Sequence, residues 1–171
     1  MRSIKEFIGA EINWKQPNAF KMEYELRAGE EVIGTLNFRS SFGSMATAEC
    51  VDGCWTFKRT GIFKPKVTIR VCDSENEIGV FNNNTWSGGG TLELTNGQKL
   101  MASTNFWQTN FEITTESGRS LIQYHHSGVV RLSSKVNILP AATGYPELPW
   151  LVMFGWYLAV LLNRDSGAAG A

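Results

Sequence analysis

Close to the end of the chain, residues 148–162 (LPWLVMFGWYLAVLL) run for fifteen positions without a charge or a side-chain amide. A helix made from them has no polar face in any orientation, so it must be surrounded by protein or by lipid. Pro146 or Pro149 suits the first helical turn, where a missing N–H costs nothing. Glu147 before the segment and Arg164 after it complement a helix dipole. Asn163 and Gly167 are the expected stop residues. At 1.5 Å per residue the helix reaches about 22 Å, against about 30 Å of bilayer hydrocarbon. It is short for a span, so the question passes to whether the rest of the chain can enclose it.

The preceding sequence reads with a period of two, the signature of half-buried strands. Met22, Tyr24 and Leu26 alternate with Lys21, Glu23, Glu25 and Arg27, and Val32, Gly34, Leu36 and Phe38 alternate with Ile33, Thr35 and Asn37. Ala28-Gly29-Glu30 is short enough to join them as a hairpin. Further strands are expected near residues 45–50, 54–60, 66–72, 77–82, 91–95, 99–104, 111–115, 120–127 and 129–138, making eleven. Turn-forming pieces separate them: 51–53, 73–76, 87–90, Asn96-Gly97 and 116–118. Asn96-Gly97 predicts a type I′ turn, because both residues tolerate positive φ. Three strand–turn–strand stretches look alike, but with no fixed period they are hairpins of similar geometry rather than a repeat array.

Many short strands spaced in this way predict an antiparallel meander that closes on itself. A barrel of eleven or twelve strands is too wide for its own side chains to fill, and a helix about 10 Å across would fill it. The expected fold is therefore mainly β: a closed antiparallel barrel of about 11–12 strands around a central hydrophobic C-terminal helix. Trp150, Leu151, Phe154, Trp156, Leu158 and Leu161 are the expected core of that helix. Residues 1–20 form an N-terminal extension packing on or leading into the barrel, 21–163 the barrel with its helix, and 164–171 a flexible tail. The start, MRSIKEFIGAEINW, has no apolar run of signal-peptide length, so a cleaved leader is not expected.

The strand series, the stretches CWTFKRTGIFKPKVTIRV and GTLELTNGQKL, and the terminal ELPWLVMFGWYLAVLL together resemble the tubby C-terminal-like superfamily, which includes LURP-one-related and phospholipid scramblase-like domains. The likeness covers roughly residues 10–163 and rests on architecture and loose motifs. It implies a twelve-stranded barrel threaded by the helix. For function it implies phosphoinositide binding, as in tubby domains, or lipid movement linked to calcium, as in scramblases. The acidic segment that scramblases carry before the helix is here NILPAATGYPELPW, with Glu147 as its one acid, which argues against calcium-dependent scrambling.

Sixteen Lys and Arg balance sixteen Asp and Glu, so bulk charge points to no nucleic-acid partner. One region departs from that balance. Lys58, Arg59, Lys64, Lys66 and Arg70 fall between Trp55 and Val71 with no acid among them. With Trp55, Phe57, Val67, Ile69 and Val71 inward, a hairpin brings these cations onto one surface, with Ile62 and Phe63 at its tip. Such a patch suits an anionic lipid headgroup, so these five are the candidate ligand-binding residues.

The other chemistry-bearing groups point to structure. Three cysteines make an odd count. Cys50 and Cys54 flank a turn, which leaves open a bridging disulfide or half a zinc site. Reduced cysteines packed in or near strands are the expected state, and His125-His126 is the only other soft-ligand cluster. Those histidines point to opposite faces of a strand, one inward and one outward. Asp73-Ser74-Glu75-Asn76-Glu77 resembles the start of a calcium loop but has Ile78 where an EF-hand needs Gly, so it reads as a polar turn. Nucleophile-elbow, P-loop, dinucleotide and metalloprotease patterns are absent. The expected function is a non-enzymatic binding or scaffold domain, cytoplasmic and peripheral to an anionic membrane surface, with no cofactor and no metal. The alternatives are a lipocalin-like carrier of an apolar ligand and a tail-anchored scramblase-like membrane protein.

Overall fold

Twelve antiparallel strands close on themselves around one helix. The computed structural model describes residues 1–83, 89–105, 109–128 and 131–169. The strands are β1 (Glu11–Lys15), β2 (Glu23–Ala28), β3 (Glu31–Phe38), β4 (Ala46–Cys50), β5 (Gly53–Thr60) and β6 (Lys66–Val71), followed by β7 (Glu77–Asn83), β8 (Gly90–Leu94), β9 (Lys99–Thr104), β10 (Asn110–Thr115), β11 (Ser120–Ser127) and β12 (Ser133–Ile138). Each pairs with its sequence neighbour, and β1 pairs with β12 to close the barrel, Ile12 opposite Val136 and Trp14 opposite Ser134. The helix α1 spans Leu148–Ala169.

Residues 148–161 are all buried, and the strands show why. Six of them place an aromatic or imidazole ring on the helix. Trp14 of β1 stacks on Trp156 at 5.8 Å and 8°, and Tyr24 of β2 meets the same indole edge-on. Phe38 of β3 stacks on Tyr157, while Phe57 of β5 and Phe81 of β7 meet Phe154 edge-on. His126 of β11 closes the ring of contacts against Trp156. A helix touched from so many directions lies in the lumen. The space a lipocalin-like carrier would keep for its ligand is taken by α1. Among the described residues, no helix is long and apolar enough to cross a membrane.

The closest approach is at Gly155. The Tyr124 ring of β11 lies where a Cβ at Gly155 would sit. Tyr124 Oη donates to the carbonyl of Val152 at 2.8 Å, with Leu151 O at 3.3 Å. Both ends of the barrel are also tied. Beneath the start of α1, a 3-10 turn at Ile4–Phe7 buries Ile4 and Phe7, and Asp52 accepts from Ser3 Oγ (2.6 Å) and the Ile4 amide (3.0 Å). Where α1 leaves the lumen, Tyr157 Oη donates to Ser44 O (2.6 Å) and Arg164 to Gly43 O (2.9 Å).

Four expectations are corrected. Residues 11–15, placed within an N-terminal extension, are a strand of the barrel wall, because β12 and β2 together supply both edges for it. The helix continues past Asn163 to Ala169, so residues 164–169 are helical rather than a tail; Arg164 and Asp165 bind the barrel mouth there. Ile33, not Val32, joins Gly34 and Leu36 inside, since a bulge at Leu26/Arg27 shifts the register by one. At Asn96-Gly97 only Gly97 has positive φ (83°), and Leu94 N bonds Gln98 O. That is a three-residue connection with glycine in the left-handed position, not a type I′ turn. Residues 87 and 88 of the expected glycine turn, and 129 and 130 of the expected last strand, lie outside the described residues.

Gly155→Ala gains about 1 kcal/mol of helix propensity, but its methyl displaces the Tyr124 ring. The expected net result in chemical denaturation is a loss of about 1–3 kcal/mol. Tyr124→Phe, which removes only the hydroxyl, is expected to cost about 0.5–1.5 kcal/mol. Unchanged stability in both variants contradicts the packing of β11 on α1.

Candidate functional site

The β5–β6 hairpin has the register its apolar residues demand. Trp55 lies opposite Val71, Phe57 opposite Ile69 and Arg59 opposite Val67, the pairs of inward parity, of which Trp55, Phe57, Val67 and Ile69 are buried. The outward partners are Thr56 with Arg70, Lys58 with Thr68 and Thr60 with Lys66. Lys58, Lys66 and Arg70 therefore share an outer groove of about 270 Å³, floored by Thr56 and Thr68. Ile62, Phe63 and Lys64 are exposed at the tip.

The five cations do not act as one patch. Arg59 has the inward parity and sits at the barrel mouth, where it binds Asp165 of α1 at 2.6 and 3.3 Å. That hydrogen bond pushes its pKa up, so the charge is fixed but neutralised. Arg70 reaches Glu75 (3.3 Å) and Glu77 (3.4 Å) in and beyond the next turn. Lys58, Lys64 and Lys66 are the three without a carboxylate within 4 Å among the described residues. Val71, expected inside, is exposed at the sheet end.

The base of the hairpin is covalently closed. Cys54 and Cys72 form a disulfide with Cα atoms 5.4 Å apart, across directly facing positions where Cys72 N also bonds Cys54 O. The expectation of three reduced cysteines is corrected for this pair. Cys54 lies opposite Glu49, and Cys50 opposite Gly53, so the two do not face each other. Cys50 keeps its thiol, which burial pushes up to about 11 despite backbone donors. A protonated thiol is a poor metal ligand, and no metal-holding group of His, Cys, Asp and Glu occurs among the described residues.

The histidines divide as their parity requires. His125 is exposed on the outer face of β11, bonded through Nδ1 to Asn110 Oδ1. It shares a shallow polar groove with Glu112, Gln123 and Lys135. Glu112 there accepts from Ser120 Oγ (3.0 Å) and Lys135 lies 3.9 Å from Glu11, so these two have partners outside the groove. His126 points inward, its Nδ1 3.0 Å from Ser134 Oγ and its ring against Trp156. At the polar turn, Asp73 adopts positive φ (59°) and Ser74 Oγ accepts from the Asn76 amide. These contacts belong to a turn.

Sequence reading passed over two exposed aromatic residues, Phe20 between β1 and β2 and Phe42 between β3 and β4. An isolated phenylalanine in a polar loop gives no periodic signal; only the serial pairing of β1 to β6 places both loops on the same rim as the hairpin tip. No protein-family model, curated protein or solved structure matches this chain.

His126 sets a pH dependence. Burial pushes its imidazole down to about 4, with a smaller contribution from the charge of His125. In the unfolded chain the value is about 6.5, so the unfolded state takes up the proton first. Stability from the neutral imidazole is complete above about pH 6.5, declines as pH falls toward about 4, and levels off below. The expected loss over that window is about 2–3 kcal/mol. Comparing unfolding free energies from pH 7 to pH 4, His126→Phe should show a correspondingly flatter profile; parallel profiles contradict the assignment.

Proposed function

We propose that this is a non-enzymatic binding domain that associates with an anionic membrane surface through the β5–β6 hairpin. The observation that carries the reading is the trio Lys58, Lys64 and Lys66, none with a carboxylate within 4 Å among the described residues, set around the exposed Ile62-Phe63 tip, with Glu77 of the shared groove held by Arg70. Ammonium groups near a negatively charged leaflet each gain about 1 kcal/mol, while apolar side chains gain by leaving water at the headgroup boundary. The disulfide at the base of the hairpin supports a rigid presentation of both. Placement in the tubby-like superfamily is part of this proposal and rests on architecture alone, a closed barrel about a buried apolar helix. The expected cytoplasmic location sits poorly with the Cys54–Cys72 bond, since such bonds persist mainly in oxidising compartments; the reading requires only an anionic surface.

Co-sedimentation with phosphatidylcholine vesicles containing about 30% phosphatidylserine tests it. Binding is expected to exceed that to pure phosphatidylcholine and to weaken as salt rises. Lys58→Glu with Lys66→Glu should lower the apparent affinity about tenfold or more. Equal binding by the double variant and the native chain removes the basis of the proposal.

A further inference from the structure

The strands of a meander alternate in direction, so its connections divide between the two ends of the barrel. One end, where α1 emerges, carries connections 16–22, 39–45 and 61–65 and the described residues 89, 105, 109, 128, 131 and 132 that flank later strands; the other carries 29–30, 51–52, 72–76, 95–98 and 116–119. The two sets differ in charge. In sequence, the first holds Lys21, Arg39, Lys64 and Arg131 and no acid, and the second holds Glu30, Asp52, Asp73, Glu75 and Glu116 with Arg119 as its one cation. The N-terminal turn at the second end adds Arg2, Lys5 and Glu6, which lessens but does not cancel its acidity, so a chain with balanced total charge is polarised along the barrel axis.

Exposed apolar side chains follow the same division. Phe20 (96% exposed), Phe42 (96%), Ile62 (91%) and Phe63 (91%) all lie at the cationic end, in three connections that neighbour one another around the rim. Each has a cation close by in the chain: Phe20 precedes Lys21, Phe42 follows Arg39 by three residues, and Phe63 precedes Lys64. At the acidic end the large exposed hydrophobic residues are Met1, Val51 and Val71, none of them aromatic and all less exposed.

We infer that the protein docks end-on, with Phe20, Phe42, Ile62 and Phe63 entering an anionic bilayer, their neighbouring cations at the phosphates, and the barrel axis along the membrane normal. This rests on the proposed membrane association and specifies its geometry: the docking surface is the barrel end, with Lys66 and Lys58 on the wall next to the β5–β6 tip within reach of the headgroups and Arg70 toward the opposite end of β6. Charge complementarity selects the occupant. Aromatic tips alternating with cations match an apolar layer beneath a sheet of phosphates. The cores of protein–protein interfaces are depleted in lysine, and these tips are separate projections rather than a continuous groove. The acidic far end is repelled by the same surface, which sets the orientation.

The test uses the full chain and vesicles of phosphatidylcholine with about 30% phosphatidylserine. Phe20→Ser, Phe42→Ser and Phe63→Ser are combined in one variant. These side chains pack on little, so its thermal unfolding should match the native chain, and its vesicle partitioning should fall about tenfold or more. In a Cys50→Ser background, an environment-sensitive dye on Phe42→Cys should brighten and shift to the blue with vesicles, while the same dye on Asn96→Cys at the acidic end should not. Native-like partitioning by the triple variant, with loss on Lys58→Glu plus Lys66→Glu, overturns end-on docking and leaves membrane association standing. Equal dye responses at both ends overturn it as well. If the native chain binds no vesicles, both readings fall. A change of oligomeric state in the triple variant without vesicle binding by the native chain identifies the rim as a contact between copies and also overturns the inference.

Discussion

Enclosure of α1 governs the remainder of the molecule. A helix with no polar face cannot sit on a surface, and a twelve-stranded barrel is too wide for its own side chains to fill, so each satisfies the other's requirement. The fit depends on matched sizes along the interface. Where the helix presents Trp156 and Phe154, the strands answer with Trp14, Tyr24, Phe57 and Phe81. Where the helix thins to Gly155, Tyr124 moves in and bonds its backbone. Where Met153 reaches outward, the wall retreats to Gly34. Close-packed interiors tolerate neither a void nor an added methyl at such points.

A filled lumen moves any binding chemistry to the outside, and the outside is not uniform. The acidic end has connections of two to five residues and is anchored by the 3-10 turn at Ile4–Phe7. The cationic end has connections of five to seven residues, and the end of α1 is fastened there by Arg164 and the Arg59–Asp165 pair. Those bonds use up two of the cations of that end. Lys58, Lys64 and Lys66 and the apolar tips around them stay available to a partner, while Lys21 lies 3.9 Å from Glu23. Half-buried His126 faces the core, where its ring packs on the same indole that Trp14 covers.

Much of this was readable before any coordinates. The fifteen-residue apolar run and the two-residue alternation from residue 21 onward are local signals, and both led to the barrel about a helix. What escaped was set by partners distant in sequence. The stretch EINWK of β1 is short and carries a polar residue at every other position; it becomes a strand because β12, more than a hundred residues later, offers it an edge. The Cys54–Cys72 bond depends on hairpin register, which cysteine count and spacing do not disclose. Likewise, the basic run between Trp55 and Val71 looked like one patch. Asp165, separated from Arg59 by 106 positions, removes one member, and Glu75 and Glu77 bind another. The aromatic rim was invisible for a related reason, since Phe20, Phe42 and Phe63 share one end only because β1 to β6 pair in series.

If α1 is the core about which the barrel forms, its backbone amides should be as hard to open as the strands. Native-state hydrogen exchange resolved by residue measures this directly. The amides of residues 152–161 are expected to exchange only through global unfolding, with the same opening free energy as the central residues of β3 and β11. Exchange of those helix amides at a markedly lower free energy, with the strand amides still protected, would show that the helix leaves an intact barrel and would contradict the account.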